Sequence, residues 1–344
     1  MTRMKIAAID LGTVSSRMLC AEMEGGSVVA STKRTVITDL GEGVDATGMF
    51  APAAIERVAD ACAGFAREAR EFGARHVSCT LTSAARDASN GGELLDRLRD
   101  LGLLPQVIPG EVEARLTFYG VAHDFMGERI AVADSGGGST ELVVGRAGVS
   151  DVRPVVAASG EVADGPAEPR LKLDRAESLD IGCRRVTERF FSSMPPSDGE
   201  LARASSWMRP HFERYWANLD DRPDRLVAVG GTVTSLVAMV HELAVYDSSF
   251  VHLRDLTIGD VEMSVERMRH LTVDEIAALP GIQQKRAPVI LAGALIVHEL
   301  MRAGGYDRLT VSENSLLAGS ATTIYEAVAQ GGTVIGWMPE LSTW

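Results

Sequence analysis

Ile6-Ala7-Ala8-Ile9-Asp10-Leu11-Gly12-Thr13-Val14-Ser15 and Ile130-Ala131-Val132-Ala133-Asp134-Ser135-Gly136-Gly137-Gly138-Ser139 are two versions of one pattern. Each is an apolar run ending in Asp, followed by a glycine turn with hydroxyls. A second apolar run comes next, Met18-Leu19-Cys20 in one case and Leu142-Val143-Val144 in the other, so each unit reads as strand, turn, strand. A Rossmann or Walker-type loop opens a helix whose first amides hold the phosphate. Here the loop opens a hairpin, which excludes a simple dinucleotide-binding reading. Two Asp-tipped hairpins imply two similar α/β halves facing each other across a cleft, a place suited to a phosphate chain and a divalent metal.

The rest of the composition permits this. At 344 residues two domains are the natural expectation, and 46% hydrophobic with 24% charged residues is ordinary for a globular chain. A formal charge of −13 argues against a broad nucleic-acid-binding face but not against an anionic substrate held by local Arg, hydroxyls and amides. Cys20, Cys62, Cys79 and Cys183 have neither zinc nor disulfide spacing and read as buried reduced thiols. The N-terminus runs straight into a strand without a signal-peptide core, and the apolar run Ala287 to Val297 is too short to span a bilayer. The expectation is a cytoplasmic protein with no membrane and no nucleic-acid partner.

Strands alternate with helices along the chain. Ser27 to Thr35 reads as a strand, Pro52 onward as a helix burying Ile55, Val58, Ala59, Cys62 and Phe65, and His76 to Leu81 as a strand. A helix begins near Glu111. In the second half, helices are expected around Gly182 to Phe191, Leu201 to Leu219 and Thr234 to Leu243, the last after strand Leu226 to Val229. This alternation predicts α/β layers. Gly165-Pro166 and Met194-Pro195-Pro196 read as surface loops.

Five places carry chemistry. At the hairpins, Asp10 and Asp134 could hold a metal while Gly12, Thr13, Ser15, Gly136, Gly137, Gly138 and Ser139 supply amides and hydroxyls to phosphate, although Asp-Gly is also an ordinary turn signal. Glu113, in the first turn of its helix, could align and deprotonate a water. It could equally join Glu111 in complementing the helix N-terminus. Arg86, after a strand and the Thr82-Ser83 pair, suits phosphate oxygens or a plain surface position. Gly230-Gly231-Thr232 places a helix start where an anion or nucleotide could sit, or serves tight strand-helix packing. Arg184 and Arg185, with Arg170, Lys172, Arg175 and Arg189 nearby, could meet an extended polyanion or form a solvated face. The seven histidines form no ligand spacing.

Asp10-Leu11-Gly12-Thr13, Gly110-Glu111-Val112-Glu113-Ala114-Arg115, Asp134-Ser135-Gly136-Gly137-Gly138-Ser139-Thr140-Glu141-Leu142 and Val229-Gly230-Gly231-Thr232 occur in the order of the exopolyphosphatase/guanosine pentaphosphatase family. The chain resembles its short, two-domain form over roughly residues 4 to 325. That resemblance implies the duplicated actin-like ATPase fold of sugar kinases, actin and heat-shock chaperones. Residues 1 to 125 would form one domain, 126 to 312 the other, and 313 to 330 would pack back on the first. It also implies hydrolysis of terminal phosphates from inorganic polyphosphate or guanosine pentaphosphate with magnesium or manganese, and a homodimer. By the same resemblance Glu113 matches the catalytic glutamate, Asp134 and Glu141 the metal-associated carboxylates, and Arg86 a phosphate-contacting arginine. Thr13, Ser15, Gly137, Gly138 and Ser139 fall on phosphate loops.

Two positions depart from the family pattern: Val14 stands where an Asn is usual, and Leu317-Ala318 where Arg-Glu is usual. A non-catalytic sensor of polyphosphate or guanosine tetra- or pentaphosphate, and an ATP-dependent phosphotransferase, stay open as alternatives.

Overall fold

Two sheets that share a five-strand order, the second with one further antiparallel edge strand, carry the chain in the computed structural model, which describes residues 3–149, 154–156, 162–164 and 169–344. The first sheet holds β1 (Met4–Leu11), β2 (Ser15–Glu24), β3 (Ser27–Ile37), β4 (His76–Leu81) and β5 (Pro105–Val107) in the order β3-β2-β1-β4-β5. β6 (Arg129–Ser135) and β7 (Thr140–Val149) open the second half, followed by a small ribbon of β8 (Pro154–Val156) and β9 (Val162–Asp164). The second sheet continues with β10 (Pro169–Leu179), β11 (Arg225–Val229), β12 (Arg254–Thr257) and β13 (Arg308–Val311), in the order β10-β7-β6-β11-β13-β12. In each sheet an antiparallel three-stranded meander leads into two parallel strands. This is the duplicated actin-like α/β architecture. Gly165-Pro166 lies outside the described residues.

Both faces of the central strands are buried, which is why they read as continuous apolar runs. Ala7, Ile9 and Leu11 of β1 pack against Cys62 and Phe65 of the Pro52–Phe72 helix, while Ile6 and Ala8 meet Leu317, Ala321 and Ile324 of the Leu316–Gln330 helix. The Gly110–Ala122 helix turns Ala114, Phe118 and Val121 toward Ile130, Val132 and Val143, so the helix that precedes the second half in sequence covers the second sheet.

The 110–122 and 316–330 helices cross backbone to backbone. A Cβ at Gly319 would collide with the Leu116 carbonyl, and one at Gly120 with that of Ser315. Gly319→Ala should therefore cost about 1–3 kcal/mol, as overpacking does. Gly64→Ala, in the open on the 52–72 helix, should gain the roughly 0.5–1 kcal/mol by which alanine exceeds glycine in a helix. Urea midpoints at unchanged m-value measure both; equal midpoints for the two variants would contradict the packing argument.

The apolar helix is longer than its core run suggests. Residues 284 to 304 are long and apolar enough by composition to cross a membrane, but most of that stretch is buried in the second-half core.

Candidate active site

The hairpin turns are the same object built twice. Gly12 N donates to Ser15 O at 3.0 Å, and Gly136 N to Ser139 O at 2.9 Å. The carbonyls of both turns are tied down: Thr13 O accepts from Gly41 N, Val14 O from Thr38 and Asp39 N, and Gly137 O from Arg184 N. The amides of Thr13, Val14, Gly137 and Gly138 have no hydrogen-bond partner among the described residues. Loops held by their carbonyls leave donors aimed at whatever enters between them.

Glycine is required here by contact. A Cβ on Gly137 would stand 2.6 Å from Val14 Cγ2, and one on Gly138 2.5 Å from Ser83 Oγ. The two turns thus meet. Val14 is buried among second-half core residues including Leu179 and Ile181, so the apolar side chain at this departure joins the halves and leaves the loop's backbone amides free.

Between the turns lies a cleft of about 60 Å³. Asp10, Gly12, Thr13, Ser15, Glu113, Asp134, Gly136, Gly137, Gly138, Ser139, Glu141, Gly230, Gly231 and Thr232 all line it. Arg86 does not. Its Nη1 donates to Glu113 Oε2 at 2.9 Å and to Ile108 O at 2.9 Å, so it holds the carboxylate from behind. The helix after β11 starts at Gly231, three residues earlier than Thr234, with Gly230 at φ 97° as its cap. That places Thr232 in the first turn and lets Gly230 approach Asp134, whose Oδ1 would be 3.0 Å from a Cβ there.

Strand register sets the electrostatics. Asp10 lies opposite Arg17 in one hairpin, and Asp134 opposite Glu141 in the other. The first carboxylate is neutralised, with Arg17 Nη2 2.5 Å from Asp10 Oδ2; the second faces another carboxylate. Burial pushes Glu113 up to about 7. Arg86 pulls against that shift, and Asp10 and Asp134 add to it. Asp134 is raised by burial and by Asp10, against the attraction of Arg17. Glu141 is raised well above the usual range by burial, Glu113 and Asp134, although Ser178 Oγ donates to it at 2.7 Å.

Arg17 and Arg286 were not singled out by motif, yet both line the cleft. Arg286 lies against Gly231, and its Nε donates to Gln283. It has no carboxylate within salt-bridge distance among the described residues, and burial and the like charge of Arg17 hold it below its ordinary value. A guanidinium that lines the cleft with no carboxylate partner among the described residues suits an anion. Only the Asp-to-Arg register across β1 and β2 could have pointed to Arg17; no local signal marks Arg286.

The second arginine group does other work. On the Cys183–Phe190 helix, Arg184 pairs with Asp39, Arg185 with Asp45 and Asp87, and Arg189 with Asp45, all from the first half. Arg175 pairs with Glu177. Lys172 lies on β10, and the side chain of Arg170 is outside the described residues. Leu317 is absorbed into the core against β1, and neither it nor Ala318 lines the cleft.

Among the described residues no three carboxylate, imidazole or thiol side chains converge as a ready-made metal cage. The residues that could hold a hard divalent ion are Asp134 and Glu141, buried carboxylates of which the first raises the proton affinity of the second, and Asp10, whose Oδ1 is buried with no hydrogen-bond partner among the described residues.

Residues 19–326 match the model of the Ppx/GppA phosphatase family. Exopolyphosphatase 2 of Mycobacterium tuberculosis is 34% identical over 337 residues, covering 93% of this chain and 98% of that protein. Guanosine-5'-triphosphate,3'-diphosphate pyrophosphatase of Photobacterium profundum is 28% identical over 337 residues, covering 94% of this chain and 59% of that longer protein. The crystal structure of the Aquifex aeolicus member of the Ppx/GppA protein family superposes with a TM-score of 0.74 at 29% identity, over 96% of this chain and 100% of that one.

Proposed function

Since this chain belongs to the Ppx/GppA phosphatase family, we propose that it hydrolyses the terminal phosphoanhydride bond of inorganic polyphosphate, with guanosine pentaphosphate as the second substrate to test. The observation that carries this reading is the placement of buried Glu113 in the same cleft as two loops of unpartnered amides. A wall of donors opposite a carboxylate suits water attack on a bound phosphoryl group.

In this reading the amides of Gly137 and Gly138, with Thr13, Ser15 and Ser139, take the terminal phosphoryl oxygens. Arg17 and Arg286 balance charge on the bridging side. Glu113, turned toward the cleft by Arg86, accepts a proton from water as its oxygen bonds to phosphorus and the bridging P–O bond breaks. One orthophosphate and a chain shorter by one unit result. Asp134 and Glu141, with Asp10 Oδ1, would hold magnesium or manganese, which when bound neutralises phosphate charge. The four cysteines are free and buried, in keeping with a reducing, cytoplasmic setting.

The test is orthophosphate release from polyphosphate, guanosine pentaphosphate and ATP, with magnesium or manganese. Release from polyphosphate without an acceptor is expected. Tight binding without release would favour the sensor reading, and ATP turnover that needs an acceptor would favour the phosphotransferase.

A further inference from the structure

Two larger cavities continue the cleft in series. The first, about 540 Å³, shares Arg17, Gly230, Gly231 and Arg286 with it. The second, about 490 Å³, lies beyond, with Ser31, His252, Leu317 and Ala318 in its lining. Both have Lys33, Ser248, Glu313 and Ser315 in their walls, so these residues form the partition. Lys33 and Glu313 form an ion pair in it. Lys33 Nζ, on the outer strand β3 of the first sheet, donates to Glu313 Oε2 at 2.8 Å and to Glu313 O at 3.2 Å. The Tyr246 hydroxyl donates to the other carboxylate oxygen, and Glu313 N donates to His252 Nδ1 at 3.2 Å. Burial opposes charge on Glu313, but Lys33, the Tyr246 hydroxyl and His252 together keep the carboxyl below its ordinary value.

We propose that the Lys33–Glu313 pair is a chain-length gate, and that the second cavity receives the distal part of a phosphate chain whose terminal group sits in the cleft. This rests on the polyphosphate reading. A linear polyanion with its end in the cleft can run out through the first cavity, past Arg17 and Arg286, toward Lys33. A short chain ends before the partition. A long one meets Glu313, a fixed negative charge, and must take its place at Lys33. The exchange is chemically even for the ammonium, since a phosphate oxygen replaces a carboxylate oxygen as a charge-assisted partner. Glu313 therefore penalises long chains, and Lys33 is the cation that receives them.

The measurement is kcat/KM for long-chain polyphosphate divided by kcat/KM for tripolyphosphate, on the full chain. Glu313→Gln removes the repelling charge and keeps an acceptor for Tyr246, so the ratio should rise about tenfold, the worth of one charged hydrogen bond. Lys33→Met should lower it. Exchanging the two, Lys33→Glu with Glu313→Lys, rebuilds the pair and should bring the ratio back toward wild type. A ratio unchanged in both single variants, including one in which both activities fall together through misfolding, overturns the gate, as does a fall with Glu313→Gln. A wild-type protein that releases no phosphate from either length overturns the polyphosphate reading itself.

Discussion

Glu113→Gln is expected to lower phosphate release by about 10²- to 10⁴-fold, the usual cost of losing a general base, while polyphosphate binding persists. The expectation follows from its surroundings. The carboxylate is 8% exposed, lines the cleft, and is held at 2.9 Å by Arg86, which itself stays outside the lining. Glu111→Gln is the matched control: it removes the same charge from the same helix start, but Glu111 is exposed and bonded at 2.5 Å to Arg115. A surface change of that kind stays within about 0.5 kcal/mol, so activity should remain near wild type. Equal losses in the two variants would show an effect of helix electrostatics and remove Glu113 from the role of base. The pH profile gives a second reading. A base must be unprotonated, and burial holds Glu113 up to about 7, so kcat/KM should fall with acidification through a midpoint near that value. Arg86 pulls the proton affinity of Glu113 down; Arg86→Gln should therefore move this limb to higher pH. A limb that stays in place would mean that another group titrates.

Asp134→Asn is expected to move the same limb the opposite way and to weaken the divalent-ion dependence at once. Asp134 raises the proton affinity of both Glu113 and Glu141, so its neutral replacement should let both ionise at lower pH. The replacement also removes one of the two buried carboxylates that would hold magnesium. The loss in metal affinity should reach at least the roughly 10- to 100-fold that follows removal of an outer-shell partner. Turnover across a magnesium titration, together with calorimetric binding of the ion alone, measures this. Identical magnesium dependence in the variant would place the ion elsewhere and leave Asp134 as an electrostatic neighbour of Glu113.

Much of the site was legible because its chemistry is local. An Asp at a strand end, a turn whose amides must be free, and a run of glycines where another loop approaches are properties of a few consecutive residues, and the same turn geometry at Gly12 and Gly136 is a repeat written in the chain. Arg17 was nearly legible, since it stands where Glu141 stands in the other hairpin; reading it required strand register, not spacing. Arg86 was marked by its neighbours Thr82 and Ser83, but its orientation was not, because its partner Glu113 lies 27 residues away on another element. The arginines of the 183–190 helix carry charge that spacing alone cannot assign to solvent, substrate or protein. Their aspartates, Asp39, Asp45 and Asp87, are all in the first half.

The sequence by itself determined the duplicated hairpins, the α/β layers and the set of residues around the two glycine turns, because hydrogen-bonding turns and apolar periodicity are short-range consequences of backbone geometry. Only the tertiary structure decided which side of each residue works. It set Val14 as an apolar contact between the halves, Arg286 as a cation beside Gly231 with no carboxylate partner among the described residues, the 110–122 helix as a cover for the second sheet, and Lys33 as the partner of Glu313 across 280 positions of chain. Those assignments depend on which surfaces are brought together when two sheets close on one another, and burial and Coulomb interactions act on that distance in space, which no spacing along the chain records.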